Sequence, residues 1–456
     1  MNSTLQPIIL AAGKGTRMQS PLPKVLLPIA NKPMLGHVLS ALSELQTLNP
    51  IIVCGYKGEE VKSAYPNCQF VEQKEQLGTG HAVKVAGPSI AKDSTTLILY
   101  GDVPLIRPET LSSVIDAANQ GLGLLTVILE NPKGYGRIVR NQSGKVVSIV
   151  EEKDASPEES AITEVNTGIL AVNSEQLSKW VNQLSNDNAQ GEYYLTDIIA
   201  MAVTDGVEIF TTHPGDPQEV MGANDRIQLA ELERALQLRL ANKLMQSGVQ
   251  LADPSRIDIR GKLVIGSEVN IDINNLFEGE VTLGSNVVIE PNCIIRNSVI
   301  GDNTQIKAFS HIDGSTIGES VSVGPYARLR EGTELANQSK IGNFVETKKA
   351  RIGKGSKINH LSYAGDTEIG ENSNIGAGTI TCNYDGVNKH KTTIGDNVFV
   401  GSNSALVAPV KLKDGSTVGA GSTITKDIEA GNLGLTRSKQ TEIKGWKRPA
   451  KHQKQK

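Results

Sequence analysis

From residue 7 to about 225, short apolar runs alternate with amphipathic stretches. Pro7–Leu10, Ile51–Cys54, Thr96–Tyr100, Leu124–Leu129 and Gly168–Val172 read as buried strands, while Met34–Leu45, Glu109–Ala118 and Tyr194–Val203 carry helical spacing. Strands alternating with helices predict a largely parallel sheet covered on both faces, with ligands beyond the carboxyl ends of its strands. Residues 225–247 then run without Gly or Pro and are rich in Leu, Ala, Glu and Arg, up to a stop at Gly248. That segment predicts one long helix between two domains.

After residue 250 the apolar period becomes six. Ile265, Ile271, Phe277, Leu283, Ile289 and Ile295 keep that spacing, as do Ile394, Val400, Leu406, Leu412, Val418 and Ile424. Between them Ile300, Ile306 and Ile312, then Ile317, Val323, Leu329, Leu335 and Ile341, follow with one-residue slips. A six-residue period fits neither an α-helix nor a plain strand. It fits a β-solenoid with one inward aliphatic per flat face, three hexapeptides to a triangular coil, so that about 170 residues make roughly nine or ten coils. Two segments break the rhythm, His360–Asp366 and Cys382–Lys391, and each is a candidate functional loop.

Composition agrees with this division. The 456 residues suit two or three domains. The 45 glycines follow no three-residue period and charged residues make up an ordinary 21%, which sets aside collagen and wholesale disorder. A net charge of −3 offers no global field for nucleic acid or an acidic membrane. No apolar run approaches the roughly 20 residues of a bilayer span. The start Met1-Asn2-Ser3-Thr4 lacks a signal-peptide pattern. Cys54, Cys68, Cys293 and Cys382 are too dispersed for a disulfide framework or a cysteine zinc site. The expectation is a cytoplasmic protein without a membrane or nucleic-acid partner.

The first chemistry lies in Leu10-Ala11-Ala12-Gly13-Lys14-Gly15-Thr16-Arg17-Met18, followed by Pro23-Lys24. Glycines admit a polyphosphate close to the backbone, and backbone N–H groups, Arg17 and Lys24 can neutralise it. The string is neither a Walker A loop nor a dinucleotide fingerprint, since Met18 stands where the latter needs its third glycine. Asp102 ends a buried strand in Tyr100-Gly101-Asp102, where it reads either as a ligand of a phosphate-bound metal or as a helix cap before Pro104.

With Gln76-Leu77-Gly78-Thr79-Gly80, these strings resemble a sugar-1-phosphate nucleotidyltransferase. Adding Gly134-Tyr135-Gly136-Arg137, Glu151-Glu152-Lys153-Asp154, Asn166-Thr167-Gly168, Met221-Gly222-Ala223-Asn224-Asp225, the hexapeptides and Asn383-Tyr384-Asp385-Gly386, nearly the whole chain resembles one family. It is that of the bacterial bifunctional N-acetylglucosamine-1-phosphate uridyltransferases/glucosamine-1-phosphate acetyltransferases.

The resemblance implies an α/β chain. A Rossmann-like nucleotidyltransferase domain would cover residues 1–224 and a long linker helix 225–248. An acetyltransferase left-handed parallel β-helix with a basic tail would cover 249–456. By the same resemblance, Leu10, Ala11, Ala12, Gly13, Lys24, Gln73, Gly78, Thr79, Tyr100, Gly101 and Asp102 contact UTP or its product. Gly136, Glu151 and Asn166 would hold the N-acetylglucosamine moiety, and Asp102 and Asn224 would ligate Mg²⁺. Taken alone, Glu151 is as readily an exposed carboxylate and Asn224 a helix cap.

For acetyl transfer the resemblance selects Arg330, Lys348, Tyr363 and Asn374 as glucosamine-1-phosphate ligands, and Ala377, Asn383, Tyr384, Ser402, Ala420 and Arg437 as contacts of acetyl-CoA or sugar. His360 would be the general base, its imidazole suited to take a proton from an amine attacking a thioester. Glu346 is the candidate for orienting its ring. Cys382 leaves open a covalent acetyl route, and the tail from Arg437 to Lys456 reads as solvated. A homotrimer is implied, with acetyl-transfer sites between neighbouring solenoids, and the product would be a precursor of peptidoglycan and lipopolysaccharide. Two other readings stand beside this one: a nucleotidyltransferase whose solenoid only assembles it, and a noncatalytic hexapeptide scaffold.

Overall fold

A computed structural model describes residues 4–449. Residues 1–3, where the N-terminal reading begins, and 450–456, the extreme basic tail, lie outside it. The chain divides into two compact units, residues 1–239 and 240–456.

In the first unit a nine-stranded sheet is built from β1 (Thr4–Ala11), β2 (Ile51–Cys54), β3 (Gln69–Glu72), β4 (Ser94–Tyr100), β5 (Leu122–Ile128), the hairpin β6 (Arg137–Arg140) and β7 (Val146–Val150), β8 (Glu164–Asn173) and β9 (Ile209–Thr212). The main order is β9-β5-β8-β4-β1-β2-β3. Along β1, Ile8 and Leu10 enter one hydrophobic cluster while Leu5, Ile9 and Ala11 enter another on the opposite face. Burial of both faces is why these strands read as unbroken apolar runs. The sheet is parallel from β4 through β1 and β2 to β3. β8 departs from the expected parallel pattern, running antiparallel between β4 and β5.

The edge strands Gln69–Glu72 and Ile209–Thr212 escaped the hydrophobic reading because they are only partly covered. The helices expected at Met34–Leu45 and Glu109–Ala118 span Met34–Ser43 and Pro108–Ala118, and others at Gly58–Ala64, Thr79–Ala86 and Ser174–Gln183 add to them. The expected Tyr194–Val203 helix resolves into a short 3₁₀ turn, Leu195–Asp197, followed by Ile198–Thr204. No helix among the described residues is long and apolar enough to cross a membrane.

The long helix spans Arg226–Gln246. Leu232 packs in the first unit's core, whereas Ala241 belongs to the core of the second.

The second unit is a parallel β-helix. On one face Ile271, Ile289, Ile306, Val323, Ile341, Ile358, Ile375, Val400 and Val418 stack in register, each buried. That face holds eleven strands, more than the coil count expected, because stacking extends from Gln250–Leu251 to Leu433–Gly434 beyond the aliphatic repeat. Asparagines occupy left-handed corners, among them Asn286, Asn303, Asn372, Asn397 and Asn403. Buried corner hydroxyls donate to carbonyls of the next coil, as Thr304 does to Gly318 at 2.9 Å and Ser373 to Gly395 at 2.8 Å.

The two suspected irregularities differ in kind. Around Cys382–Lys391 the coil is lengthened, since Thr381 pairs with Leu406 and Ile375 with Val400 across extra residues. His360–Asp366 lies in an ordinary coil. There Thr347, Ala364 and Thr381 replace the inward aliphatics in one stacked column, so the apolar rhythm lapses while the geometry continues.

Candidate active sites

The carboxyl ends of parallel β1, β3 and β4 lead into one cleft of about 420 Å³. Leu10, Ala11, Ala12, Gly13, Lys24, Gln73, Gly78, Thr79, Tyr100, Asp102 and Asn224 line it, and buried Gly101 stands behind, against Val25 and Ala11. Gly15 adopts a left-handed φ of +58°, and a Cβ there would stand 2.8 Å from the Lys24 Cβ. Only glycine lets the loop close down onto Lys24.

The Lys24 ammonium donates both to Asp102 Oδ2 and, at 3.2 Å, to Asn224 Oδ1. Neither residue caps a helix. The helix after Asp102 starts at Pro108 with Arg107 at its cap, and Asp225 accepts from the N–H groups of Ile227 and Gln228 at the start of the long one. Asn224 is instead fixed through its own N–H, which donates to Gln228 Oε1 at 2.7 Å. Two hard oxygens therefore converge on one cationic group.

Gly136, Glu151 and Asn166 gather beside that cleft. The Asn166 N–H donates to the Gly136 carbonyl at 2.9 Å, and the Glu151 carboxylate oxygens would lie 3.5 Å from a Cβ at Gly136. Glu151 accepts from the Thr196 hydroxyl at 3.0 Å. Burial holds its carboxyl above the usual range, reinforced by Asp197, Asp154 and Glu192, against the opposing Thr196 bond. Burial likewise raises Tyr100, with the charges of Glu151 and Asp102 adding to it.

The cleft also uses residues the sequence did not single out. Gln76 donates to the Ala12 carbonyl at 2.7 Å and lay unremarked within a motif already noticed. Glu192 left no local signal. It reaches the wall because the Tyr193 N–H donates to the Leu77 carbonyl and the Gly80 N–H to the Tyr193 carbonyl, each at 2.8 Å.

In the solenoid, parallel stacking sets Arg328 beside Glu346, and Glu346 beside Tyr363. Glu346 accepts from Arg330 at 2.8 Å and lies 3.9 Å from Arg328. It does not orient His360. Asn343 stands in register with His360, its Oδ1 2.7 Å from His360 Nδ1.

Lys348 is held below its usual pKa by the neighbouring charges of Lys389 and Arg330. Lys389 belongs to the inserted loop and completes a cationic group that the sequence only partly disclosed. Such mutual repulsion is relieved by an anion.

The inserted loop is tied down at its base, where Asn383 Nδ2 donates to Asp366 Oδ2 at 2.5 Å. Further out, His390 Nε2 lies 2.7 Å from Asp385 Oδ2. That side-chain bond, with the N–H groups of Asn388 and Val387, holds the Asp385 carboxyl well below the usual range. Tyr384, 59% exposed, donates to the Gly386 carbonyl at 2.5 Å.

Ala377, Ser402 and Ala420 follow one another up a corner. The Ala377 carbonyl accepts from the Asn403 N–H, that of Ser402 from Gly421, and that of Ala420 from Arg437 Nη1 at 3.3 Å. Asn374 stacks between Lys357 and Phe399 on the neighbouring face. Among the described residues no hydrogen bond links Arg330 or Lys348 to this corner column. Among the described residues the Cys382 thiol's one hydrogen-bond partner is the Ile380 carbonyl, at 3.9 Å.

Comparison with known proteins covers both units. Residues 7–156 match the MobA-like NTP transferase domain, 259–352 the GMPPB C-terminal domain, and 391–426 the hexapeptide repeat of succinyl-transferase. The bifunctional protein GlmU of Marinobacter nauticus is 56% identical over 98% of this chain and all of its own length. The protein of that name from Idiomarina loihiensis is 57% identical over 98% of both chains. That from Acinetobacter baumannii is 55% identical over 97% of this chain and 98% of its own.

Proposed function

The chain belongs to the GlmU family of bifunctional proteins, and from that premise we propose how its own residues perform the two transfers. It is a bifunctional enzyme of UDP-N-acetylglucosamine synthesis, a nucleotidyltransferase in its first unit and a hexapeptide acyltransferase in its second. Glucosamine-1-phosphate is acetylated from acetyl-CoA, and N-acetylglucosamine-1-phosphate then receives UMP from UTP with release of pyrophosphate.

In our assignment the uridyl cleft seats UTP with its triphosphate on the Ala11–Gly13 backbone, Lys24 and Arg17, and its base toward Gln73, Gln76, Gly78 and Thr79. Gly136, Glu151 and Asn166 hold the sugar so that its phosphate oxygen faces the α-phosphorus in line. That oxygen forms the new P–O bond as the bond to pyrophosphate breaks, and no protein nucleophile is needed. Lys24 offsets charge that builds on the phosphates.

The observation that carries this site is the meeting of Asp102 Oδ2 and Asn224 Oδ1 on one ammonium group. Among the described residues no group of three or more His, Cys, Asp or Glu could hold a metal. Two hard oxygens still suit Mg²⁺, which keeps most of its positions for water and phosphate oxygens. When bound, that ion supplies electrostatic stabilisation of the phosphates.

In the solenoid, Arg330, Lys348 and Lys389 receive the sugar phosphate, with Tyr363 and Asn374 beside the sugar. The pantetheine arm runs along the Ala377, Ser402 and Ala420 corner, flanked by Asn383 and Tyr384, and Arg437 meets a coenzyme phosphate. His360 accepts a proton from the amine as nitrogen attacks the thioester carbonyl. The C–S bond then breaks and the coenzyme leaves as a thiolate that takes up a proton.

We further propose a homotrimer, supported by an exposed apolar ladder on successive coils. Phe309 stacks on Tyr326 at 4.9 Å and Tyr326 on Phe344 at 5.2 Å, with Leu361, 64% exposed, one coil on. We also assign the enzyme to the cytoplasm, on the ground that UTP and acetyl-CoA are its proposed substrates.

The test is a crossed pair. Asp102→Ala is expected to stop pyrophosphate release and spare CoA release, and His360→Ala to do the reverse. Normal uridyl transfer by Asp102→Ala at low Mg²⁺ would overturn the first assignment, and unchanged CoA release by His360→Ala the second.

A further inference from the structure

We propose that Asn343 is the positioning residue for the base of acetyl transfer, holding His360 in the tautomer that leaves Nε2 free to take the proton. This rests on the reading of His360 as that base. Asn343 lies one coil before His360 and in register with it, and the two side chains meet at 2.7 Å through Asn343 Oδ1 and His360 Nδ1.

An amide oxygen only accepts, so the shared proton resides on Nδ1 and the lone pair on Nε2. Among the described residues Nε2 makes no hydrogen bond, and the His360 side chain is exposed. The ring therefore offers one basic nitrogen to a substrate.

The backbone makes this pairing obligatory. The Leu361 N–H donates to the Asn343 carbonyl at 3.1 Å and the Gly378 N–H to that of His360 at 3.3 Å, fixing the register on both sides. Gly342 lets the coils approach, since a Cβ there would stand 1.9 Å from the Asn359 carbonyl oxygen.

The carboxylate of the adjoining strand is engaged elsewhere, Glu346 being held by Arg330 with Arg328 close by. The orienting group is thus neutral. It fixes the tautomer without adding a charge that would favour the imidazolium, and a base must spend its resting state unprotonated at neutral pH.

Uridyl transfer by the same chain serves as an internal control of folding. Asn343→Ala is expected to lower kcat for acetyl transfer about tenfold, as loss of an orienting partner does, with KM for both substrates within about twofold. Asn343→Asp supplies the same acceptor with a charge. It is expected to retain the plateau kcat while the acidic limb of its pH profile moves upward by about 1 unit, because a carboxylate stabilises the imidazolium.

A role confined to packing would lower the plateau in both variants and leave the limb in place, and that result overturns the proposal. So does an unchanged kcat in Asn343→Ala. Parallel His360→Ala measurements separate the two levels of the argument. An active His360→Ala enzyme removes the base assignment and this inference with it, whereas an inactive one beside a normal Asn343→Ala enzyme removes this inference alone.

Discussion

The two sites differ in how much of a ligand they can enclose. In the first unit three parallel strands end at one cleft, and residues far apart in the chain tie each other in place: Lys24 to Asp102 and Asn224, Gln76 to Ala12, Thr196 to Glu151. The solenoid has hollows of about 350 and 340 Å³, and neither is lined by His360, Arg330 or Lys348. His360 is exposed, Tyr384 projects, and among the described residues no hydrogen bond links Arg330 or Lys348 to the Ala377, Ser402 and Ala420 corner. A twisted sheet makes a crevice where its crossovers part, whereas the hollow between regular coils, lined by Thr316, Glu334, Ala336 and Arg351, lies away from His360. Enclosure of a ligand at exposed His360 then falls to an inserted loop or to another copy of the chain, and the Cys382–Lys391 insertion and the Phe309, Tyr326, Phe344 ladder are the features available for each.

That contrast breaks first at Asp102. Asp102→Ala is expected to reduce uridyl transfer at least about a thousandfold, since it removes an anchor of charge stabilisation on the transferring phosphate. Acetyl transfer should stay within about twofold, as read by CoA release. If both activities fall together, the sites are not independent and the contrast fails.

A second break addresses enclosure. Charging the ladder with Tyr326→Asp and Phe344→Asp together should convert the proposed trimer to smaller species by light scattering and lower acetyl transfer roughly a hundredfold, on the scale expected when reacting groups lose their alignment. Uridyl transfer should persist. A monomeric variant with full acetyl transfer would show that one solenoid suffices.

These differences also explain what could be read in advance. Buried strands such as Ile51–Cys54 declare themselves because both faces demand apolar side chains, and a six-residue period admits few folds besides a solenoid. Partners across coils are less visible. Asn343 and His360 meet because coils stack in register, and nothing in the local string around His360 names that neighbour. The spacing before His360 makes Glu346 a candidate for orienting that ring, yet register sets it beside Arg328 and Tyr363 and its carboxylate accepts from Arg330. His360–Asp366 read as an interruption because threonine and alanine filled an inward column, a change of side-chain size rather than of path. Glu192 is the converse case in the first unit, drawn to the cleft by backbone bonds of its neighbour Tyr193.

A smaller effect sharpens the reading of the solenoid site. Lys389→Ala should raise KM for glucosamine-1-phosphate about tenfold, the scale of one charge-assisted contact to phosphate, with KM for acetyl-CoA little changed. It should also let the Lys348 pKa rise, because Lys389 is the chief cause of its depression. Equal changes in both KM values would place Lys389 between the substrates rather than on the sugar phosphate.

The smallest effect tests the enclosed character of the first site through stability. Burial raises the Glu151 carboxyl above its usual 4.5, so the folded chain binds that proton more tightly than the unfolded chain does. At low pH the group is protonated in both states and contributes no penalty. As pH rises through the folded value, the folded state must carry a buried charge and loses stability relative to the unfolded chain. Glu151→Gln removes that penalty while keeping an oxygen for the Thr196 hydroxyl. The variant should therefore unfold at a slightly higher temperature than the parent at pH 8 and at the same temperature near pH 4, while its KM for N-acetylglucosamine-1-phosphate rises. A lower unfolding temperature at pH 8 would mean that the ionised carboxylate is stabilised where it sits, and the first site would then be as open as the second.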